Sequence, residues 1–337
     1  MKRYIAVDSG KNATKVAVYD EQAEKISVRK FRTKIGKGTF DDDDPGKNTF
    51  LMEYDGEVYK IGRGADADAE LVTSKKTPTH KICTLYAIAS VCSEDEIDEV
   101  SVTIGIPVKD YENVALRNEY RDYILPEGDI TVTCKNSGDD APVTKTFRIV
   151  YRCVRPETLG ALFITDTVNI GTVAVIDIGH LNVNMTVYNN LDVDKEYSMT
   201  DTLGGNALVT GLSQKLSSNY TFINEKATAD ILMKSGEDRC LKPNRRNEQI
   251  EKDSRQMIDE YLLQHVNKIL SHCKSAQWSV DYMSFIFIGG TSALLRKEIR
   301  EIFGEEVTIT ERPEYANVIG FLRIMCGKLL GKEIKAD

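Results

Sequence analysis

Apolar and polar residues alternate in short runs through the first third of the chain, which predicts strands separated by turns. Arg3–Asp8 and Thr14–Asp20 are rich in apolar residues and flank the turn Ser9-Gly10-Lys11-Asn12, a pattern that predicts a β-hairpin. The same reasoning predicts further strands at Lys25–Thr33, Thr49–Tyr54, Glu57–Ile61, Glu99–Ile106, Val143–Val154, Val173–Ile178, Asn182–Asn189, Val193–Thr200 and Tyr282–Ile288.

Helices are predicted where apolar residues recur every three or four positions. The longest is Asn247–Cys273, whose apolar stripe, with Ile258 and Leu262 among its members, indicates one buried face. Pro156-Glu157 predicts the start of a short helix running to about Thr167, because proline is favoured in a first helical turn. Other helices are predicted at Pro78–Val91, Tyr111–Leu125, Ser292–Phe303 and Pro313–Leu330. Strands and helices together predict an α/β fold.

One segment of the chain occurs twice. When Tyr4–Gly10 is placed over Val173–Gly179 without gaps, both read as an apolar strand, an Asp-x-Gly turn and a second strand. The identical pairs are Asp8 and Asp177, Gly10 and Gly179, Val18 and Val187, and Tyr19 and Tyr188. Two copies of one supersecondary unit suggest a duplicated domain. The predicted domains are residues 1–168 with 311–337, and residues 169–310.

Size, charge and cysteine content narrow the class of protein. A chain of 337 residues exceeds what one hydrophobic core usually serves, so two domains are expected. The net charge of −8 argues against direct binding of DNA or RNA, which would instead be reached through an adaptor. No run of about 18 apolar residues predicts a membrane span. Seven cysteines without a Cys-x-x-Cys pair indicate reduced thiols and a cytoplasmic location.

The two Asp-x-Gly turns are the strongest candidates for chemistry. Such a turn exposes backbone N–H groups that form an anion-binding concavity suited to phosphates. The carboxylate itself would act on phosphates only through Mg²⁺ and its waters. Lys15, seven residues after Asp8, could reach a phosphate as a point charge. Either turn alone is more typical of an ordinary hairpin corner, and it is their pairing that favours a nucleotide site.

Three other positions are candidates with competing interpretations. Gly289-Gly290 forms a turn from an apolar strand into a helix, which would let a flat ring approach the backbone or would simply serve close packing. Glu157 could orient and deprotonate an attacking water, or could merely favour the first turn of the predicted helix. His180 could contact a phosphate or point to solvent.

In this order the motifs resemble those of the actin superfamily, and the resemblance spans nearly the whole chain. Asp8–Lys15 resembles the phosphate-1 motif, and Asp177–Asn182 resembles phosphate-2. Arg155–Gly160 is similar to the first connecting segment, Ile288–Ala293 to the adenosine motif and Pro313–Gly320 to the second connecting helix. The chain looks most like the bacterial plasmid-segregation actins of the ParM/StbA family, which share its compact length and the Leu203-Gly204-Gly205 type of turn.

The resemblance implies an actin-like (ribonuclease H-like) duplicated two-domain fold with an interdomain nucleotide cleft. It implies Mg-ATP hydrolysis coupled to filament assembly and segregation of plasmid DNA, with a ParR-like DNA-bound adaptor as partner. Asp8 and Asp177 would coordinate Mg²⁺ through water, and Glu157 would position the attacking water. The expected nucleotide contacts are Ser9, Gly10, Lys11, Asn12, Lys15, Gly179, His180, Leu181, Asn182, Gly204, Gly205, Gly289, Gly290 and Thr291.

Some features leave alternatives open. His180 and Leu181 replace the small residues often found in phosphate-2, which leaves the detailed γ-phosphate contacts open. A small-molecule kinase and a nonpolymerising ATP-binding scaffold share the expected fold. A kinase needs an acceptor-substrate site, for which no insertion is evident, and an intact Glu157 disfavours the scaffold. The residues do not distinguish ATP from GTP.

Overall fold

The fold is described from a computed structural model covering residues 1–41, 45–66, 74–136, 138–164, 171–244 and 247–334. The chain divides into two compact units. Unit 1 comprises Met1–Asp166 and Tyr315–Asp337, and unit 2 comprises Thr167–Glu314. The predicted boundary at 168/169 lies outside the described residues. No helix in the described ranges has both the length and the hydrophobicity needed to cross a bilayer.

The elements are as follows. The strands are β1 (Lys2–Ser9), β2 (Ala13–Asp20), β3 (Lys25–Arg32), β4 (Ile35–Lys37), β5 (Thr49–Tyr54), β6 (Glu57–Gly62), β7 (Asp98–Ile106), β8 (Asp129–Asn136), β9 (Val143–Pro156), β10 (Thr172–Ile178), β11 (Val183–Asn189), β12 (Asp192–Asp201), β13 (Ser284–Ile288) and β14 (Thr308–Ile309). The α-helices are α1 (Pro78–Ala89), α2 (Val108–Tyr111), α3 (Val114–Ile124), α4 (Gly205–Asn219), α5 (Glu225–Leu232), α6 (Glu248–Ser275), α7 (Gly290–Leu294), α8 (Arg296–Phe303) and α9 (Ala316–Leu330). Short 3₁₀ helices occupy Leu159–Phe163, Gly236–Asp238, Val280–Tyr282 and Pro313–Tyr315.

Unit 1 is built on a nine-stranded sheet in the order β3-β2-β1-β7-β9-β8-β5-β6-β4. Side chains alternate across β1, so Ile5 and Val7 enter the core that contains α1, while Tyr4 and Ala6 pack with α9. Strand β1 is antiparallel to β2 and parallel to β7, and β7 is parallel to β9. The strands that lead into the β1–β2 corner are therefore covered by α1 on one face of the sheet and by α9 on the other.

Unit 2 repeats this arrangement on a smaller scale. Its five-stranded sheet has the order β12-β11-β10-β13-β14, with antiparallel β10–β11–β12 and parallel β10–β13–β14 pairing. The two hairpins share one register, because Asp8 pairs with Lys15 in the first and Asp177 pairs with Asn184 in the second. The predicted duplicated α/β fold is confirmed.

The long helix α6 buries the stripe predicted for it. Ile258, Leu262, Val266, Ile269 and Cys273 are fully covered in the core of unit 2, where they pack with residues of β10, β11 and β13. Asn247 caps the helix by accepting hydrogen bonds from Gln249 and Ile250 backbone N–H groups at 3.1 and 3.2 Å. The 3.6-residue period was therefore a sufficient signal for this element.

Four predicted elements differ from the structure. The helix predicted from Pro156-Glu157 is wrong, because β9 continues to Pro156 and a 3₁₀ helix begins only at Leu159. The predicted end of that helix, Thr167, lies outside the described residues. Ser292–Phe303 divides into α7 and α8, Tyr111–Leu125 divides at the N-cap Asn113, and the predicted strand Tyr282–Ile288 begins only at Ser284. Strands β4, β8 and β14 were not predicted.

Two glycines allow the backbone of the 3₁₀ helix after β9 to touch α9. A Cβ added at Gly320 would lie 1.9 Å from the carbonyl oxygen of Gly160, and one added at Gly160 would lie 2.4 Å from that of Asn317. No side chain fits at that separation, so these positions require glycine. The contact fixes the segment that follows Glu157 onto α9.

We expect Gly320→Ala to lower the free energy of unfolding by about 3 kcal/mol, because the added methyl group forces the two backbones apart. Gly327→Ala is the matched control on the same helix, since a Cβ there meets nothing within 4 Å. It should be neutral or stabilise by roughly 0.5–1 kcal/mol. Urea unfolding curves of the two variants measure the difference. Equal midpoints would contradict the close contact.

Candidate functional site

The β1–β2 corner in unit 1 is fixed by backbone and hydroxyl hydrogen bonds. The Gly10 N–H donates to the carbonyls of Asp8 and Ala13, both at 3.1 Å. The Ser9 hydroxyl lies 3.0 Å from that of Thr14, which in turn lies 2.9 Å from the Thr33 hydroxyl. A corner held this way keeps the Asp8 carboxylate in one position at the end of β1.

Two lysines surround the Asp8 carboxylate. Lys75 Nζ lies 2.9 Å from Asp8 Oδ1, and Lys15 Nζ lies 3.4 Å from Asp8 Oδ2. Burial alone would raise the pKa of Asp8, but the charges and hydrogen bonds of Lys75 and Lys15 outweigh it and hold that pKa below its usual range. Asp8 is therefore an ionised carboxylate at neutral pH although it is only 4% exposed.

Lys75 also forms an ion pair with Glu157 Oε1. Burial would lower the pKa of Lys75, but the charges of Asp8 and Glu157 raise it above its ordinary value. Three buried charged groups, two of them predicted as functional, thus meet in unit 1. Lys75 was not among the residues predicted from the sequence, because it lies 67 positions from Asp8 and belongs to no motif.

Backbone contacts position Glu157. Its N–H donates to the Ile106 carbonyl at 2.7 Å, at the ends of the parallel strands β7 and β9. The next residue, Thr158, has φ +78°, and its N–H donates to Asn317 Oδ1 on α9 at 3.0 Å. Because Glu157 follows a strand rather than opening a helix, attraction to a helix dipole does not explain its carboxylate.

The predicted phosphate-binding lysines differ in their surroundings. Lys15 contacts Asp8, as described above. Lys11 Nζ lies on the exposed side of the corner and donates to the Ser74 carbonyl at 2.8 Å. Lys11 and Lys75 thereby bring the stretch that leads into α1 against the β1–β2 corner.

In unit 2 the structure brings three predicted loops together. The Gly179 N–H donates to the Asn182 carbonyl at 2.9 Å, which matches the Gly10 to Ala13 bond in unit 1. The Gly205 N–H and the Thr291 hydroxyl both donate to the Gly179 carbonyl, at 2.9 and 3.1 Å. The Asp177 corner, the Gly204-Gly205 turn and the Gly289–Thr291 turn therefore form one cluster.

Glycines allow the backbone segments around Asp177 to approach one another closely. Gly289 has φ +90°, and a Cβ there would lie 2.4 Å from Asp177 Oδ1. A Cβ at Gly204 would lie 2.4 Å from the Leu181 carbonyl carbon, and one at Gly205 would lie 2.6 Å from Thr291 Oγ1. The chemistry of these groups, a carboxylate beside glycine backbone, fits a phosphate group with its Mg²⁺, which prefers oxygen ligands and water.

A basic cavity opens beside the helix that follows Gly289. It has a volume of about 380 Å³ and is lined by Arg239, Ala293, Leu294, Arg296, Lys297, Arg300 and Glu305. Arg296 is held there by the carbonyls of Ile309 at 2.8 Å and Thr310 at 2.5 Å. The positive lining favours an anionic occupant.

His80 is a buried histidine near the unit 1 cluster. It lies on α1 with its ring 2.7 Å from the Thr77 hydroxyl. Burial is the main cause that lowers its pKa to about 3, with repulsion from Lys75 and Lys11 adding to it and Asp8 opposing it.

We expect the His80 imidazole to remain neutral at pH 5, whereas in unfolded protein it titrates near its ordinary value of about 6.5. The folded pKa lies below the unfolded one, so the associated stability is complete above about pH 6.5 and is lost as pH falls toward 3. NMR titration of the ring, with urea-unfolded protein as control, measures this. A folded-state midpoint at 6 or higher would contradict the buried environment.

Residues 6–154 match the family model described as the N-terminal domain of actin-like proteins. A comparison with curated proteins gives no match. The solved structures that resemble the chain have the actin-like fold, which agrees with the fold predicted from the motifs.

Three of these structures cover nearly the whole chain. An Alp12 filament structure is 23% identical with a TM-score of 0.72, and the match covers 97% of this chain and 99% of that one. Ta0583, an archaeal actin homolog in complex with ADP, is 17% identical with a TM-score of 0.70 over 94% and 97%. A 15-stranded ParM filament from Clostridium botulinum is 15% identical with a TM-score of 0.70 over 96% and 99%.

Proposed function

We propose that this chain is a member of the actin superfamily that hydrolyses ATP and uses the nucleotide to assemble filaments of itself. One observation carries the proposal. Each unit ends its first strand in an aspartate beside a glycine corner, and the two hairpins share one register. A structural turn alone would not require a buried, ionised carboxylate such as that of Asp8.

The phosphates are proposed to bind at the two corners. Gly10, Lys11, Asn12 and Lys15 would contact them from unit 1, together with Ser9. From unit 2 the contacts would come from Gly179, His180, Leu181 and Asn182. Asp8 and Asp177 would hold Mg²⁺ through its waters, because a carboxylate repels phosphate directly. When bound, Mg²⁺ supplies charge neutralisation at the phosphate oxygens.

Glu157 is proposed to orient the attacking water and accept its proton. A general base must be ionised and held within hydrogen-bonding reach of that water. The Ile106 carbonyl fixes the Glu157 backbone, and the ion pair with Lys75 fixes its side chain. These contacts support Glu157 as the general base, because they hold its carboxylate in one position, which a place in the first turn of a helix would not do.

The adenosine part of the nucleotide is proposed to lie against Gly289, Gly290 and Thr291. The neighbouring turn at Gly204 and Gly205 would form the other part of this binding site. The hydrogen bonds from Gly205 and Thr291 to the Gly179 carbonyl support this, because they link the adenosine turn to the phosphate corner. Ta0583 was solved with ADP, which supports an adenine nucleotide.

We propose self-association and DNA segregation on the analogy of the neighbours. The Alp12 and Clostridium botulinum ParM structures are filaments. The net charge of −8 disfavours direct DNA contact, so a ParR-like DNA-binding adaptor is the proposed partner. The cytoplasm is the proposed location.

Light scattering after ATP addition tests the function. We expect a rise after a lag, followed by a decay as ATP is consumed, with ADP and ATP in EDTA as flat controls. A flat trace at high protein concentration combined with ATP turnover would contradict filament formation while leaving the ATPase in place. Absence of both would contradict the ATPase as well.

A further inference from the structure

One ammonium group connects the two predicted functional carboxylates of unit 1. Lys75 Nζ contacts Asp8 at 2.9 Å and forms an ion pair with Glu157. The side chains are 6%, 6% and 10% exposed, respectively, so water screens these contacts little. Because one nitrogen contacts both, the positions of the two carboxylates are coupled.

The position of Lys75 is set by its own surroundings. It stands three residues before α1, whose N-cap Thr77 accepts a hydrogen bond from the His80 N–H at 3.4 Å. Lys11 donates to the carbonyl of the preceding Ser74. Because contacts at Ser74 and Thr77 hold the backbone on both sides of Lys75, its ammonium group can orient the carboxylates of Asp8 and Glu157.

The charges of the cluster balance only when Lys75 is present. Asp8 and Glu157 contribute two negative charges, and Lys75 and Lys15 contribute two positive ones. A buried ion pair often adds little net stability over an apolar replacement, whereas loss of one partner leaves an uncompensated buried charge. Net stability alone therefore accounts poorly for a buried lysine at this place.

We propose that Lys75 is a positioning residue for hydrolysis, holding the Glu157 carboxylate toward the attacking water and tying it to Asp8. The inference rests on the proposed ATPase function. Lys75 acts through Glu157, so its loss slows the chemical step far more than it weakens nucleotide binding. The geometry gives Glu157 a fixed orientation before nucleotide arrives.

The test compares Lys75→Met with Lys76→Met. Lys76 is the adjacent residue, but its side chain is 43% exposed and pairs with Glu119 on the surface. We expect Lys75→Met to slow single-turnover ATP hydrolysis about 10- to 100-fold, as for loss of other supporting contacts around a reactive group. Its Mg-ATP affinity should stay within about threefold of the parent, since Lys75 acts through Glu157 rather than on the nucleotide. Lys76→Met should match the parent in both.

A double-mutant cycle tests whether Lys75 acts through Glu157 or contributes to hydrolysis independently of it. Lys75→Met/Glu157→Gln should hydrolyse ATP no more slowly than Glu157→Gln alone. In nucleotide-free protein, Glu157→Gln should be less destabilising in the Lys75→Met background, because it then removes an unpaired carboxylate. If Lys75→Met does not fold, Lys75→Gln, which retains a hydrogen-bond donor, replaces it in the same cycle.

The outcomes are distinguishable. The role of Lys75 would be overturned if Lys75→Met hydrolysed ATP at the parent rate. It would also be overturned if the two substitutions had additive effects on both the hydrolysis rate and the stability of nucleotide-free protein. The ATPase assignment would remain in either case. A parent protein that does not hydrolyse ATP would overturn the proposed function and, with it, this inference.

Discussion

Replacement of Glu157 with glutamine is expected to slow ATP hydrolysis by about 10²–10⁴-fold, the usual contribution of general acid–base catalysis. Glutamine keeps the shape of the side chain but cannot accept the proton of the attacking water. Mg-ATP binding should remain near normal, and filaments should persist longer because their nucleotide is consumed slowly. Phosphate release and light scattering in parallel measure both effects.

Glu119→Gln is a suitable control for that variant. Glu119 lies on α3 in the same unit, but its side chain is 58% exposed and pairs with Lys76 at the surface. It should hydrolyse ATP at the parent rate. Unchanged phosphate release by Glu157→Gln would show that another group orients the water.

Asp177→Asn is expected to weaken Mg-ATP binding by about 10- to 100-fold, the usual effect of losing an outer contact to a metal. The amide cannot attract Mg²⁺ and its waters as a carboxylate does. Asp8→Asn should act in the same direction, although it also removes a charge from the Lys75 cluster. Equilibrium titration with a fluorescent nucleotide measures the dissociation constants.

The same titration in EDTA supplies the control for Asp177. Without Mg²⁺ the carboxylate repels the phosphates, so Asp177→Asn should bind free ATP as well as the parent or more tightly. A loss of affinity that is equal with and without Mg²⁺ would contradict the magnesium assignment and point to a damaged corner instead.

The two hairpin corners were predictable because their determinants are local. Asp8, Gly10 and Ala13 lie within six residues, and the hydrogen bond from Gly10 to Ala13 repeats 169 positions later between Gly179 and Asn182. A turn and its flanking strands have a two-residue alternation of apolar and polar residues, which can be recognised from the sequence without knowledge of tertiary contacts. The sequence could therefore predict both the corners and their equivalence.

Lys75 could not be predicted in the same way. Its ion pairs join residues 67 and 82 positions apart, which come together only when unit 1 folds. The stretch before α1 has no periodic pattern that would mark a buried lysine. Strand β14, with two residues, is also too short to carry a period.

The error at Pro156 has a specific cause. Proline fixes φ near −65°, which suits a helical first turn and also suits the end of a strand. Here Pro156 pairs with Ile106 at the end of β9, and Thr158 then turns the chain with φ +78°. Pairing with β7, a tertiary feature, decided between the two conformations.

Unit 1 is built from two segments that lie far apart in the sequence, which affects the order in which it can fold. Helix α9 covers Tyr4, Ala6, Ala17 and Tyr19 of the first hairpin, yet it is translated some 300 residues after them. A chain cut after residue 314 contains all of unit 2 but leaves this apolar sheet face of unit 1 uncovered. The core of unit 1 should therefore be complete only after α9 has packed on the first hairpin, even though the hydrogen bonds of the Asp8 corner are local.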